Sequence, residues 1–378
     1  VSLLAWLQEH EPEALKKKKW IFACKDYIRF RLTGKAFAER TDYSGCNLVN
    51  LHTGEYDAEL LKLFGLSDCM DKLPPLRYST DICGCITKEV SRKTGLKEGI
   101  PVAGGAFDID ACALAVGITN EEHICMIAGT WSINEYISRK PVVNGSVMMN
   151  SCYCLPDYYL VEECSPTSAG NNEWFMKNLL PEVREECRKT GMNIYEQMNS
   201  WVEEIPVEEF CPIYLPFLMA SNVHPNASGC FVGISNYHTR KHLLRSVYEG
   251  VTFSHRYHLE KLMKTRTKTP KSIRLAGGAA RSVMWTQMFA DVMNLPVESV
   301  DVNETGAAGC AIIAAAASGT YKDAAEAAGR MCRTGCVIHP NPKAVSIYNE
   351  KYALYCKAIE ALDNLWDSVQ IYRDAHTK

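Results

Sequence analysis

Apolar residues recur at helical spacing in several parts of the chain. Residues 239–264 keep leucine and valine close to a 3.6-residue period, which predicts one long helix. The segments DYIRFRLTG and DAELLKLFGL predict helices that end near Gly34 and Gly65, since glycine is favoured just after a helix C-terminus. A further helical region is predicted from about Trp174 to Phe210. The first hundred residues are therefore predicted to be mainly helical.

The pattern changes near residue 100, where we place a domain boundary. A short apolar strand at 100–103 leads through Gly104-Gly105 into a helical run. HICMIAGTWSINEYIS predicts a β-hairpin with Gly129 in its turn. In LAGGAARSVMWTQMF, an apolar strand passes through Gly277-Gly278 into another helix. Three glycine-bearing turns thus follow three apolar strands.

Composition narrows the class of protein and of ligand. A chain of 378 residues with 47% hydrophobic residues exceeds one hydrophobic core, so two or more domains are expected. The formal net charge of -3 offers no polycationic surface for nucleic acid or lipid, which favours a small-molecule ligand. No apolar segment approaches the roughly 20 residues of a membrane span. The 17 cysteines form no CxxC pair and predict reduced thiols and a cytoplasmic protein.

The glycine turns suggest a polyphosphate site. Glycine allows positive φ and close approach to the main chain, and exposed N–H groups at helix starts and hairpin tips suit anions. Glycine at a strand-to-helix turn is more often needed only for the backbone conformation, so a single such turn is weak evidence for phosphate binding. The chain contains neither a GxxxxGK[ST] loop nor a complete GxGxxG motif. A phosphate site, if present, is of another type.

Two groups of polar residues allow alternative interpretations. Asp108 and Asp110 open a predicted helix, where a carboxylate can accept a proton, help to hold Mg²⁺ or cap the helix. A metal site could be suggested by three kinds of residue, but none has the spacing of a zinc site: His255 with His258, the His238/His242 pair, and the Cys83/Cys85 and Cys152/Cys154 pairs. These histidines are therefore assigned to packing or to the surface, and the thiols to the core.

Longer segments resemble a known family. LAGGAARSVMWTQMFADVMNLPV and VNETGAAGCAIIAAAASGTY resemble the C-terminal signature of the FGGY carbohydrate kinases. IPVAGGAFDIDACALAVGI resembles their catalytic-aspartate segment, IAGTWS their second phosphate hairpin, and VSLLAWLQEHEPE and CKDYIRFRLTG their first lobe. The resemblance implies an α/β, actin/hexokinase-like (ribonuclease H-like) two-lobed fold. Residues 1–100 would be the C-terminal remainder of the first lobe, and 101–378 the second, nucleotide-binding lobe with C-terminal helices.

The resemblance also implies site residues. Asp108 would be the general base and a sugar contact, and Asp110 a capping residue or a support behind the site. The hairpin would hold the terminal phosphates of ATP, and the second glycine pair would let the main chain pass the nucleotide. The nucleotide-binding positions implied are Gly129, Thr130, Glu173, Gly277, Gly278 and Ser282. ATP and Mg²⁺ are the implied cofactors.

The implied substrate is a ketopentose. ECSPTSAGNNEWF, HTRKHLLRSVYEGVTFSH and VSLLAWL most resemble family members that act on L-xylulose or 3-keto-L-gulonate. D-xylulose, L-ribulose and glycerol are alternative sugars, and a non-catalytic, actin-like nucleotide-binding protein is the alternative class. A homodimer is possible within the family. The family's first phosphate loop and several sugar contacts precede the segment matched by Val1, so we expect an incomplete first lobe and an inactive chain when it is tested alone.

Overall fold

The computed structural model describes residues 1–300, 302 and 304–376 and has a mixed α/β fold. The chain divides into two compact units, each made of three segments. Unit 1 comprises Val1–Glu121, Tyr136–Val161 and Val302–Arg333. Unit 2 comprises Glu122–Glu135, Glu162–Asp301 and Thr334–Lys378. The domain boundary near residue 100 stays a prediction.

Helices supply most of the regular secondary structure of unit 1. They are α1 (Ser2–His10), α2 (Pro12–Lys16), α3 (Cys24–Thr33), α4 (Arg40–Gly45), α5 (Ala58–Leu63), α6 (Lys88–Thr94), α7 (Asp108–Ala115), α13 (Thr305–Ala317) and α14 (Ala324–Met331). Helix α3 ends as predicted: Gly34 adopts φ 71° and its N–H bonds to the carbonyl of Phe30. Asp57 caps α5 by accepting the N–H of Glu59.

The strands of unit 1 are short. They are β1 (Ala38–Glu39), β2 (Val49–Asn50), β3 (Glu55–Tyr56), β4 (Leu76–Arg77), β5 (Ile82–Cys85), β6 (Pro101–Ala103) and β9 (Met149–Cys152). Strands β1 and β4 are parallel, whereas β2 with β3 and β5 with β6 are antiparallel. An apolar cluster that includes Tyr43, Leu61 and Leu66 forms a core beside them.

Helices α7 and α13 cross at close range in unit 1. A Cβ placed on Gly309 would lie 2.0 Å from the carbonyl oxygen of Ala111. Only glycine permits this backbone approach, so the small residues of α13 allow the two helices to pack closely.

Unit 2 is built on a twisted sheet. Its strands are β7 (His123–Ala128), β8 (Ser132–Ser138), β10 (Tyr159–Ser165), β13 (Ser272–Gly277), β14 (Val297–Val300) and β15 (Thr334–Ile338), and the boundary between the units falls within β8 and β10. The strand order is β15-β14-β13-β7-β8-β10. Strand β13 is parallel to β7 and β14, while β7 and β8 form the predicted hairpin. A separate antiparallel pair joins β11 (Ile213–Leu215) and β12 (Cys230–Val232).

The helices of unit 2 pack around this sheet. They are α8 (Gly170–Leu179), α9 (Pro181–Thr190), α10 (Ile194–Glu203), α11 (Arg240–Met263), α12 (Val283–Met293), α15 (Pro342–Leu362) and α16 (Trp366–His376). Helix α11 confirms the predicted long helix and is largely buried. The predicted helical region up to Phe210 contains three helices, because Pro181 begins α9 and Gly191, at φ 73°, ends it.

Two predictions drawn from composition can be compared with the described residues. The structure describes all seventeen cysteines and places none of them in a disulfide, and most are buried or half-buried. Among the residues that the structure describes, no helix combines the length and apolar character needed to cross a membrane.

Candidate active site

The hairpin tip, residues 129–131, is an exposed loop at the end of the β7–β8 pair. Ala128 and Ser132 are the last paired residues, and the N–H of Gly129 donates to the carbonyl of Trp131 at 3.2 Å. The Thr130 carbonyl accepts the N–H of Ser168 at 3.0 Å, which ties the tip to the segment before α8. Trp131 is 49% exposed, so it does not pack beneath the tip.

Gly277 lies against the same hairpin. It pairs in parallel with Ala128 at the end of β13 and has φ 89°. A Cβ at this position would stand 2.6 Å from the Ala128 carbonyl oxygen. Gly277 is therefore required by the strand geometry, whether or not a ligand binds.

Gly278 differs from its neighbour. It is exposed, and the nearest atom to a Cβ at this position is the Ala128 carbonyl oxygen at 3.9 Å. Packing against the described residues thus gives no reason for glycine at 278. Its role of keeping the main chain bare beside a nucleotide stays a prediction.

The start of helix α8 also lies beside the hairpin tip. A Cβ on Gly170 would be 3.9 Å from the Thr130 carbonyl oxygen and 4.0 Å from the Thr130 Cγ2. Glu173 stands exposed in the first turn of this helix, where the helix dipole favours a negative charge. Its contact with a nucleotide stays a prediction.

Ser282 is the N-cap residue of α12. Its side chain accepts the N–H of Trp285 at 3.2 Å, and its carbonyl accepts the hydroxyl of Thr286 at 2.9 Å. The side chain is buried. Ser282 thus has a structural role of its own, and its predicted place beside the adenosine stays a prediction.

His255 lies in a polar network beside the residues that flank the tip. Its Nδ1 lies 3.0 Å from Asn134 Oδ1 and 3.1 Å from Ser132 Oγ, and its Nε2 lies 2.9 Å from Ser168 Oγ. Burial lowers the pKa of His255 to about 3, which leaves the ring neutral at ordinary pH. From its sequence context, this histidine is predicted to be a packing or surface residue. No local pattern could have identified its partners, because they come from two distant segments.

The two histidines of α11 that suggested a metal site both have protein partners. His258 Nδ1 lies 3.1 Å from Glu163 Oε2, and both side chains are buried. Within residues 1–300, 302 and 304–376, no three histidine, cysteine or acidic side chains form a group that could hold a metal ion.

Asp108 belongs to unit 1 and is the first residue of α7. Its side chain is exposed, and Oδ1 accepts the N–H of Ile109 at 2.9 Å. The preceding residue is firmly held: the N–H of Phe107 donates to Thr41 Oγ1 at 2.7 Å, and the Thr41 hydroxyl donates to buried Glu39 at 2.6 Å. A fixed backbone therefore presents an accessible carboxylate.

Asp110 has a different role from the predicted helix cap. It is fully buried, and its Oδ1 accepts the N–H of Cys154 at 2.9 Å. The N-cap residue of α7 is Phe107, which makes no side-chain cap. Asp110 thus fastens α7 to the chain that follows β9, and its carboxylate is not available to a ligand.

The first glycine pair is shaped by packing within unit 1. A Cβ on Gly104 would lie 2.4 Å from the carbonyl oxygen of Tyr78, and the Gly104 carbonyl accepts a hydrogen bond from buried Arg29. Gly105 adopts φ 83°. Close packing and turn geometry explain both glycines without a phosphate.

Comparison with known proteins gives matches over nearly the whole chain. Residues 1–115 match the N-terminal domain of the FGGY family of carbohydrate kinases, and residues 124–318 match its C-terminal domain. The chain is 35% identical over 366 residues to the probable L-xylulose kinase of Haemophilus influenzae, a match that covers 97% of this chain and 72% of that protein. It is 37% identical over 369 residues to the L-xylulose/3-keto-L-gulonate kinase of Escherichia coli strain K12, covering 96% and 70%.

A solved structure shares the fold. The ligand-bound xylulose kinase from Lactobacillus acidophilus superposes with a TM-score of 0.86 at 25% identity, over 97% of this chain and 72% of that one.

Proposed function

The chain belongs to the FGGY family of carbohydrate kinases, which phosphorylate sugars with ATP, and from this premise we propose that it acts on a ketopentose such as L-xylulose with Asp108 as general base. Its fold is the actin/hexokinase-like fold of these kinases. In the proposed reaction, the sugar oxygen bonds to the γ-phosphorus of ATP while the bond from that phosphorus to the ADP oxygen breaks. The hydroxyl proton passes to the Asp108 carboxylate.

The proposal rests on the hairpin tip, which is exposed and is held in place by the hydrogen bond from Ser168 to Thr130. Thr130 is held through its carbonyl, while its side chain and that of Trp131 remain exposed. Gly278 lies open beside the same strand end. Backbone amides that are fixed before the ligand arrives stabilise developing phosphate charge without reorganisation. We propose that this tip binds the terminal phosphates and that Gly278 lies along the nucleotide.

The place of Asp108 supports its role as base. A general base needs a carboxylate that can reach the substrate hydroxyl, and this one is exposed on a backbone held by Thr41. Asp110, two residues on, is buried and bonded to the main chain, which leaves Asp108 as the candidate in this helix. Glu173 and Ser282 are proposed as further nucleotide contacts on the family resemblance alone.

Mg²⁺ is proposed as the companion of ATP. This ion usually keeps several waters and is bound by substrate phosphates with one or two carboxylates, so a dedicated protein cage is not needed. When bound, Mg²⁺ would neutralise the charge of the phosphates.

The choice of L-xylulose follows the names of the relatives, since those from H. influenzae and E. coli are described as L-xylulose kinases. D-xylulose, L-ribulose and glycerol are the alternative substrates, and a nucleotide-binding protein without catalysis is the alternative function. The free thiols support a reducing, cytoplasmic location. A homodimer is proposed from the family alone.

A sugar panel tests this proposal. Sugar-dependent ADP release is measured with L-xylulose, 3-keto-L-gulonate, D-xylulose, L-ribulose and glycerol, and kcat/KM is compared among them. The assay uses the purified protein with MgATP. We expect the highest kcat/KM for L-xylulose. ATP binding without ADP release for any sugar would favour the non-catalytic alternative.

A further inference from the structure

We infer that His255 is a positioning residue for the hairpin tip, because its ring joins the strand that leaves the tip to the segment that holds the tip's carbonyl. The inference rests on the proposed function in one respect: it takes the tip to be the binding site for the terminal phosphates. His255 itself touches no substrate in this scheme and acts through Ser132, Asn134 and Ser168.

The surroundings of His255 are polar although the residue is fully buried. It lies in the middle of α11 with 0% of its surface exposed, and its ring nitrogens meet three polar side chains. Ser132 and Asn134 belong to β8, directly after the tip, while Ser168 precedes α8. Because a buried polar group is costly unless it is hydrogen-bonded, these three contacts offset the burial of the ring and also fix its orientation.

The hydrogen bonds assign the tautomer of the ring. Asn134 Nδ2 donates to the Glu163 carbonyl at 3.2 Å, so Oδ1 of the same amide faces His255. An amide oxygen can only accept, and Nδ1 of His255 therefore carries the proton. The low pKa of His255 keeps the ring neutral, which leaves Nε2 as an acceptor for the Ser168 hydroxyl at 2.9 Å.

A continuous chain of hydrogen bonds results. It runs from the Glu163 carbonyl through the Asn134 amide and the His255 ring to the Ser168 hydroxyl. The backbone N–H of Ser168 then donates to the carbonyl of Thr130 at 3.0 Å. These hydrogen bonds lie behind the groups that would contact the ligand and fix the orientation of those groups. Losing the imidazole should therefore loosen the tip while the rest of the nucleotide site stays intact.

The test compares ligands with and without terminal phosphates. Isothermal titration calorimetry measures Kd for ATP and for AMP with the wild type and with His255→Gln, a neutral side chain that cannot make the same set of bonds. We expect the Kd for ATP to rise about tenfold and the Kd for AMP to stay within about twofold. The matched control is His242→Gln, which changes another buried histidine of α11, one that pairs with Glu209 and lies outside this chain of hydrogen bonds. It should lower stability and leave the ratio of the two Kd values unchanged.

A second variant guards against loss of folding. Ser168→Ala removes only the hydroxyl that donates to Nε2 and keeps the backbone bond to Thr130. We expect a smaller rise in the Kd for ATP, and the double variant with His255→Gln should be no weaker than His255→Gln alone, because both changes break one path. Additive losses, or an unchanged ATP-to-AMP ratio in both single variants, would overturn the inference.

A variant of the tip itself separates this inference from the proposed function. Gly129→Ala adds a methyl group whose nearest neighbour is Ile127 Cγ2 at 4.0 Å, so the fold can accept it. If the tip binds phosphates, this variant weakens ATP and not AMP. If Gly129→Ala shows that effect while His255→Gln and Ser168→Ala do not, only the positioning inference fails. If Gly129→Ala has no effect, phosphate binding by the tip fails as well.

Discussion

Replacing Gly277 or Gly278 by alanine tests whether each glycine is needed for the fold or for binding of the nucleotide. In Gly277→Ala, the new Cβ would lie 2.6 Å from the Ala128 carbonyl oxygen and 2.8 Å from its carbon, at φ 89°. Positive φ costs a non-glycine residue roughly 1–2 kcal/mol, and overpacking costs roughly 1–3 kcal/mol more. The neighbour is backbone paired in a sheet, so it cannot move aside cheaply. We expect a loss of about 2–5 kcal/mol.

Gly278→Ala is the matched control. Its Cβ would find no atom closer than 3.9 Å and carries no positive-φ penalty, so the folded chain can accept it. Reduced entropy of the unfolded chain would make this variant about 0.4–1 kcal/mol more stable. If the nucleotide passes Gly278, the same methyl group should raise the Kd for ATP about tenfold or more.

Thermal unfolding followed by circular dichroism, together with calorimetric ATP titration, measures both effects. For a unit of roughly 200 residues, 1 kcal/mol shifts Tm by about 2–4 °C, so Gly277→Ala should lower the Tm of unit 2 by roughly 4–20 °C. Gly278→Ala should keep or slightly raise it. A Gly277→Ala protein as stable as the wild type would refute the steric reasoning, and wild-type ATP affinity in Gly278→Ala would refute the nucleotide assignment.

Two further predictions concern stability. Gly309→Ala places a Cβ 2.0 Å from the Ala111 carbonyl oxygen and should lower the free energy of unfolding, measured in urea, by about 2–4 kcal/mol. Gly306→Ala, whose Cβ would have nothing within 4 Å, is the control and should be neutral or stabilising. Equal stability of the two variants would contradict the close crossing of α7 and α13. The His255 pKa of about 3, below its ordinary 6.5, means that the unfolded state gains a proton before the folded state does as pH falls. The free energy of unfolding of the wild type should exceed that of His255→Gln by its full amount above pH 6.5, and this difference should shrink by about 1.4 kcal/mol per pH unit toward pH 4. A difference that does not change with pH would contradict the buried, neutral ring.

The elements that the sequence predicted well are those with a local pattern. The hairpin of β7 and β8 and the strand at Ser272–Gly277 follow from apolar runs next to glycine, and α11 follows from helical periodicity. The break of the middle helical region was also encoded locally, by Pro181 and Gly191, but the periodicity continues across it. Periodicity alone therefore predicted one region where the structure has three helices.

The contacts that define the site are long-range and could not be predicted. His255 meets Ser168 across 87 sequence positions, and Asp110 meets Cys154 across 44. The sequence could place an aspartate at the start of a helix, but burial decides which of the two carboxylates is accessible. The same limit applies to Gly277, because its need for glycine comes from Ala128 on a neighbouring strand.

The central claim is that Asp108 takes the proton of the sugar hydroxyl, and its most direct test is the turnover of Asp108→Asn. Asparagine keeps the size and polarity of the side chain and cannot act as a base. With L-xylulose and MgATP, kcat should fall about 10²- to 10⁴-fold while the Kd for ATP stays unchanged. Glu59→Gln, which removes an exposed carboxylate from the first turn of α5, should keep wild-type kcat. An Asp108→Asn enzyme with near-normal kcat would contradict the account.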